Sequence, residues 1–221
     1  ITLATILLLV LVALATIYLG SIKNPALRTA PQTTYTYAQA IESAQTKVAK
    51  EKELGVSRDG LSVLLTHGKK TDRAVIMMHG YTMYPAQFSE LGKQFYDKGY
   101  NVYIPRFPQH GSGGREHLTK LRATALVETA NEAVNLSTGL GDEVGVIGLS
   151  GGGNLATWAT INRNDVVKRA VFISPFYMPS TKNMPSWQEP VMVALYGNRI
   201  LPDTYDGQLS FTGLAQYLMV Y

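Results

Sequence analysis

Residues 143–149 (EVGVIGL) form an apolar, strand-like run that leads straight into Gly148-Leu149-Ser150-Gly151-Gly152, with a helical stretch right after it. Few folds satisfy that juxtaposition. A strand that reverses into a helix within one residue forces Ser150 into strained backbone angles, and the flanking glycines leave room for the turn to pack. The strain lifts the serine hydroxyl clear of the sheet, where a substrate carbonyl can reach it. The turn also sets the Gly151 N–H at a helix N-terminus, suited to a developing oxyanion. A turn that cradles phosphate is the other common use of such a connection. It would need G-x-G-x-x-G near the first strand or Gly-Lys-Ser/Thr, and both are absent. Ser150 is thus the candidate nucleophile, with Gly148 and Gly152 as structural residues of its turn.

The surrounding pattern alternates short β-rich runs with helical ones, which points to a mostly parallel sheet flanked by helices. Strands are expected at 61–66, 74–78, 100–104, 143–149 and 170–174. The second is apolar throughout, as a strand buried on both faces should be. Helices are expected at 85–98, with Phe88, Leu91, Phe95 and Tyr96 on one face, at 124–136, and at 154–162.

Residues 1–19 (ITLATILLLVLVALATIYL) carry no charge, proline or glycine. As a helix they rise about 28 Å, close to the thickness of a bilayer's hydrocarbon core. A cleaved signal has a shorter apolar stretch and a small-x-small site, which Tyr18-Leu19-Gly20-Ser21 does not supply. The expectation is a single-pass N-terminal anchor. Lys23 and Arg28 follow it and favour a cytoplasmic C-terminal side; the side of the membrane is left open. Asn24-Pro25 and Ala30-Pro31 then break structure, and residues 37–54 have a helical composition. The boundaries read from the chain are 1–20 for the anchor, 21–58 for a connector with a helix, 59–177 for the core and 178–221 for an incomplete cap.

A second feature stands independently of the first. Met78-His79-Gly80-Tyr81-Thr82 follows a buried strand, with His79 lying 71 residues before Ser150. The His-Gly pair allows a tight turn that aims the Tyr81 N–H at the same oxyanion, a donor worth about 3–4 kcal/mol in acyl transfer. The His79 side chain itself is expected to be structural.

Residues 79–111 (HGYTMYPAQFSELGKQFYDKGYNVYIPRFPQHG) and the GLSGG turn resemble the α/β-hydrolases, among them bacterial carboxylesterases, monoacylglycerol lipases and serine aminopeptidases. The resemblance covers roughly residues 60–177. It implies an eight-stranded, mainly parallel sheet with a cap between strands six and seven. It implies a Ser–His–Asp triad and an oxyanion hole formed by the N–H groups of Tyr81 and Gly151. His110 and Gly111 fall on the family's loop motif, as bracing residues. An ester-cleaving serine hydrolase is the activity implied, with a serine peptidase, an acyltransferase or a non-catalytic binding protein as alternatives on the same fold.

One departure from that pattern is decisive. The family orders its triad as Ser, acid, His, yet His67, His79, His110 and His117 all precede Ser150. A serine hydroxyl without a base is a weak nucleophile. The expectation is that the triad acid and base lie beyond residue 221, and that the chain alone is inactive. A complete but catalytically dead chain is the competing reading. Glu189, Asp203 and Asp206 are the acids of the last segment and read as cap surface.

Composition excludes other classes. There is no cysteine, hence no disulfide, catalytic thiol or thiolate metal site. His and acidic residues do not recur at ligand spacing, so no metal or other cofactor is expected. A net charge of +4 from scattered Lys and Arg offers no track for a nucleic-acid backbone. The partners expected are a membrane, through the N-terminal helix, and a small hydrophobic ester. The segment rich in Met and aromatics, from Tyr177 to Tyr196, suits a cap over an apolar acyl pocket as well as a small helical core.

Overall fold

A computed structural model of the chain describes residues 2–28, 31–182, 184–203 and 209–220. Asp206, one of the acids noted above, lies outside the described residues.

The apolar runs become five strands: β1 (Val63–Leu65), β2 (Thr71–Met78), β3 (Asn101–Ile104), β4 (Gly141–Leu149) and β5 (Val167–Ile173). They form one sheet in the order β1-β3-β2-β4-β5. β1 runs antiparallel to β3, and every other pairing is parallel. The sheet is therefore mixed, with five described strands where the family resemblance implied eight.

Strand alternation sorts the core into two layers. Ala74, Ile76 and Met78 of β2, with Val144 and Val146 of β4, point to one face. There they meet α4 (Ala123–Ser137) and α5 (Gly151–Asn162), whose Leu126, Ala130, Leu155 and Ala159 are buried. Val75, Met77, Val102, Ile104 and Ile147 point the other way, against Phe88, Leu91 and Phe95 from a 3-10 turn (Pro85–Phe88) and α3 (Ser89–Asp97). β5 is the outer strand and leaves Val171, Phe172 and Ile173 exposed. A continuous apolar run reads in sequence as a two-sided buried strand, and an edge position removes part of its cover.

The N-terminal helix α1 (Leu3–Ile22) is exposed along most of its length, with a mean hydropathy of 2.6. Its length and composition are those of a membrane-crossing helix or of a signal sequence. After it, Leu27 plugs fully into the core while its carbonyl accepts a hydrogen bond from Trp158 Nε1 at 2.6 Å. α2 (Tyr37–Glu53) starts at a capping box, in which Thr36 and Gln39 exchange side-chain and backbone bonds. Near its end, buried Glu51 accepts from both the backbone N and Oγ of Ser62, each at 2.7 Å. The connector is thus fastened to the core at both ends, to α5 through Leu27 and to the residue before β1 through Glu51. The last segment contributes α6 (Gln188–Met192), a π-helical turn (Val193–Gly197) and α7 (Phe211–Val220), and α7 packs on α4 and α5.

Candidate active site

Ser150 sits between β4 and α5 with φ 52° and ψ −119°, a region that side chains other than glycine rarely occupy. The helix begins at Gly151, three residues earlier than its sequence suggested, so Ser150 is its N-cap. The strained conformation is over-determined by its neighbours. Ser150 N donates to Ile173 O at 2.9 Å, Ser150 O accepts from Gly153 N at 2.8 Å and from Phe176 N at 3.1 Å. Gly148 and Gly152 are required because the first turn of α5 lies directly on the strand ends. A Cβ on Gly148 would run into Gly152 O and Ala156 Cβ, and one on Gly152 would run into Met78 O and His79 O. That close approach brings Ser150 beside the loop after β2. The Ser150 side chain is half-buried, and no hydrogen bond among the described residues joins it to a histidine.

Gly80 N donates to Gln87 Oε1 at 2.8 Å, and Met83 N to Gly80 O at 3.1 Å, which fixes the turn holding Tyr81. Gly80, Tyr81, Leu149 and Ser150 border one cleft of about 560 Å³, a size ordinary for small-molecule sites. Its remaining wall is mostly apolar, including Phe176, Met184, Met192, Phe211 and Leu214, with Thr82, Gln87 and Ser180 as its polar members.

The histidines lie elsewhere. His79 is fully buried. Its Nδ1–H donates to Gly80 O at 3.0 Å, and its Nε2 accepts from Phe107 N at 3.2 Å. It braces the turn. His110 is equally enclosed, with Nδ1 2.7 Å from Pro108 O and Nε2 2.8 Å from Tyr81 O. It ties its own loop to the Tyr81 carbonyl. Gly111 follows with φ 71°, its Cα side pressed against Gly60 so closely that a Cβ would fall 2.7 Å from Gly60 Cα. His67 stacks on Tyr96 at the surface, and His117 lies beside Glu116. Asp203 is engaged at the start of α7, accepting from Ser210 Oγ at 2.5 Å and Thr212 N at 3.0 Å. Glu189 is half-buried on α6.

Burial pushes both inner imidazoles down, His79 well below its usual value with His110 adding to the effect, and His110 to about 4. For His110, desolvation outweighs the backbone groups of Pro108, Tyr81 and Phe107 that favour a protonated ring. The unfolded chain then binds more protons than the folded one, so stability is full above about pH 6.5 and falls as pH drops toward 4. We expect the thermal midpoint in detergent to decline across that window, and His110→Gln to remove part of the slope. A midpoint flat from pH 7 to 4 would contradict neutral, buried imidazoles.

Tyr217 of α7 was not legible beforehand. Its ring lies where a Cβ on Gly151 would come within 2.9 Å, and it meets Tyr81 edge-on at 5.5 Å. Its carbonyl accepts from Asn154 Nδ2 at 3.2 Å. Tyr81 is held as well from α7's start, donating its hydroxyl to Ser210 O at 3.1 Å. The stretch FTGLAQYLMV carries no motif that would have signalled this.

The family model for the alpha/beta hydrolase fold matches residues 73–217, and the chain belongs to that family. Among solved structures, one of the metagenome-derived lipolytic enzymes LipS and LipT aligns at 19% identity with a TM-score of 0.59, covering 75% of this chain and 69% of that one. An α/β hydrolase from a lagoon-sediment metagenome of Mar Chica, Morocco, aligns at 21% identity and a TM-score of 0.41, covering 61% of this chain and 57% of that one. Esterase B from Lactobacillus rhamnosis aligns at 18% and 0.38, covering 72% and 64%. The chain spans less than two thirds of the length of the last two. At 19% identity the likeness to the first of these supports the fold alone. No curated protein matches the sequence.

Proposed function

We propose that this chain is the anchored, nucleophile-bearing part of a serine hydrolase acting on carboxylic esters with apolar acyl groups. The supporting observation is Ser150 itself, held at φ 52° on the N-terminus of α5 and bordering the same apolar cleft as Tyr81. A serine held in this strained turn beside an apolar cleft supports the nucleophile reading. In this reading Ser150 Oγ attacks the ester carbonyl and gives its proton to a base. The oxyanion is held by the N–H groups of Tyr81 and Gly151. The intermediate collapses, the alcohol leaves with that proton, and water then releases the acid and restores the serine.

No histidine of this chain fits the base. His79 and His110 are engaged with backbone groups, so the base and its acid partner are assigned to residues outside the 221. α1 serves as the membrane anchor, residues 21–58 as the connector, 59–177 as the hydrolase core and 178–221 as cap.

The reading is tested on the protein translated from its whole gene, assayed on short-chain aryl esters and on aminoacyl anilides. Ester turnover at least about ten-fold above anilide turnover is expected, since the described residues of the cleft wall offer no carboxylate for an α-amino group. Preferential anilide cleavage would make it a peptidase, and no turnover of either would favour a binding role.

A further inference from the structure

Exposure changes abruptly along α1. Residues 3–13 are exposed on all sides, whereas Leu14, Ile17, Tyr18, Ser21 and Ile22, spaced as one helical stripe, are half-buried or buried. That stripe meets α6, the π-helical turn and α7. Tyr18 and Ile22 pack on the core, and Asn198 Nδ2, just past the π turn, donates to Ser21 Oγ at 2.6 Å. The last two turns of the apolar helix are therefore docked on the cap.

This docking fixes a depth. Leu14 to Ile22 covers about 12 Å of helix, whereas a bilayer's hydrocarbon core takes roughly 20 residues, the whole of α1. A cap that leans on the final 12 Å cannot stand clear of the membrane. The surface flanking the contact suits that position: Trp187, at the start of α6, is 68% exposed, and Ile200 and Leu201, after the π turn, are 51% and 39% exposed. Tryptophan favours the headgroup level, and exposed aliphatic side chains gain from acyl contact. Arg199 between them is exposed but tethered, its guanidinium donating to Thr119 O and Leu121 O at 2.8 and 2.7 Å. On its other side the same cap supplies Met184 and Met192 to the Ser150 cleft.

We propose that the cap around Trp187, Ile200 and Leu201 is a bilayer-contact surface that holds the Ser150 cleft against the membrane, so that its substrates are acyl esters drawn from the lipid phase. The proposal rests on the reading of α1 as a membrane anchor.

The chain's two tryptophans make it testable. Trp158 is buried in the core and serves as an internal reference. The full chain is reconstituted into phosphatidylcholine vesicles with and without bromine on the acyl chains, and flotation is scored in parallel. Trp187 emission is expected to drop roughly two-fold with brominated lipid, to resist aqueous acrylamide, and to lose its lipid-sensitive part in Trp187→Phe. A chain that floats while Trp187 responds to acrylamide and ignores brominated lipid overturns the contact surface and leaves the anchor standing. A chain that does not float removes the anchor reading, and the proposal with it.

Discussion

Replacing Ser150 by alanine is expected to lower ester hydrolysis by the full protein about 10⁶-fold, the loss typical when a serine nucleophile is removed. What would remain is the modest acceleration supplied by binding and the oxyanion donors. The fold should tolerate the change. Ser150 is held through its backbone N and O, and its hydroxyl makes no hydrogen bond among the described residues. Ser150→Gly sharpens the test because it separates chemistry from strain. Glycine occupies φ 52° freely, so this variant should lose activity equally while gaining on the order of 1 kcal/mol of stability. Activity and thermal midpoint, measured together, check both. Activity retained within ten-fold in Ser150→Ala would remove the nucleophile assignment.

The second large effect is structural. Gly152→Ala places a methyl group against the carbonyl oxygens of Met78 and His79. Both belong to backbone at the end of β2 and cannot rotate aside, so either α5 must lift or the strand end must bend. We expect a loss of about 3 kcal/mol or more, read as a lower urea midpoint. Catalysis should suffer beyond the stability loss, because the displaced helix carries Ser150 and Gly151 away from Tyr81, and a misplacement near 1 Å costs about 10²-fold. Gly80→Ala is the contrast. Its Cβ would find Leu149 Cδ2 at 3.4 Å, an ordinary contact, so a change within about 0.5 kcal/mol is expected. Equal tolerance at both positions would contradict the tight strand–helix approach.

What the sequence could reveal follows from the range of each interaction. The β4–Ser150–α5 unit is local, and its strand period, glycines and helix lie within about twenty residues, so its order was legible, with the strand and helix starting two and three residues earlier than expected. The other strands were legible as apolar runs, with ends shifting by a few residues. β5 was recognised as a strand, but its exposure depends on which neighbours it has. The contacts that hold the cleft's surroundings and dock α1 are long-range: Tyr81 to Ser210, Gly151 to Tyr217 and Ser21 to Asn198. No local periodicity encodes such pairs. His79 and His110 read in sequence as structural and loop-bracing side chains, but the Phe107 amide and the Tyr81 carbonyl that hold them lie far away in sequence and were not legible.

The central claim is that Ser150 is an activated nucleophile in the protein as the cell makes it. The most direct measurement is labelling of the native, gene-length protein with a fluorophosphonate probe, followed by mass mapping of the modified peptide. The account predicts one adduct, on Ser150, abolished in Ser150→Ala. It also predicts labelling of the 221-residue chain alone to be slower by about 10³-fold or more, for want of a base. A native protein that stays unlabelled, or carries the adduct on another residue, would contradict it.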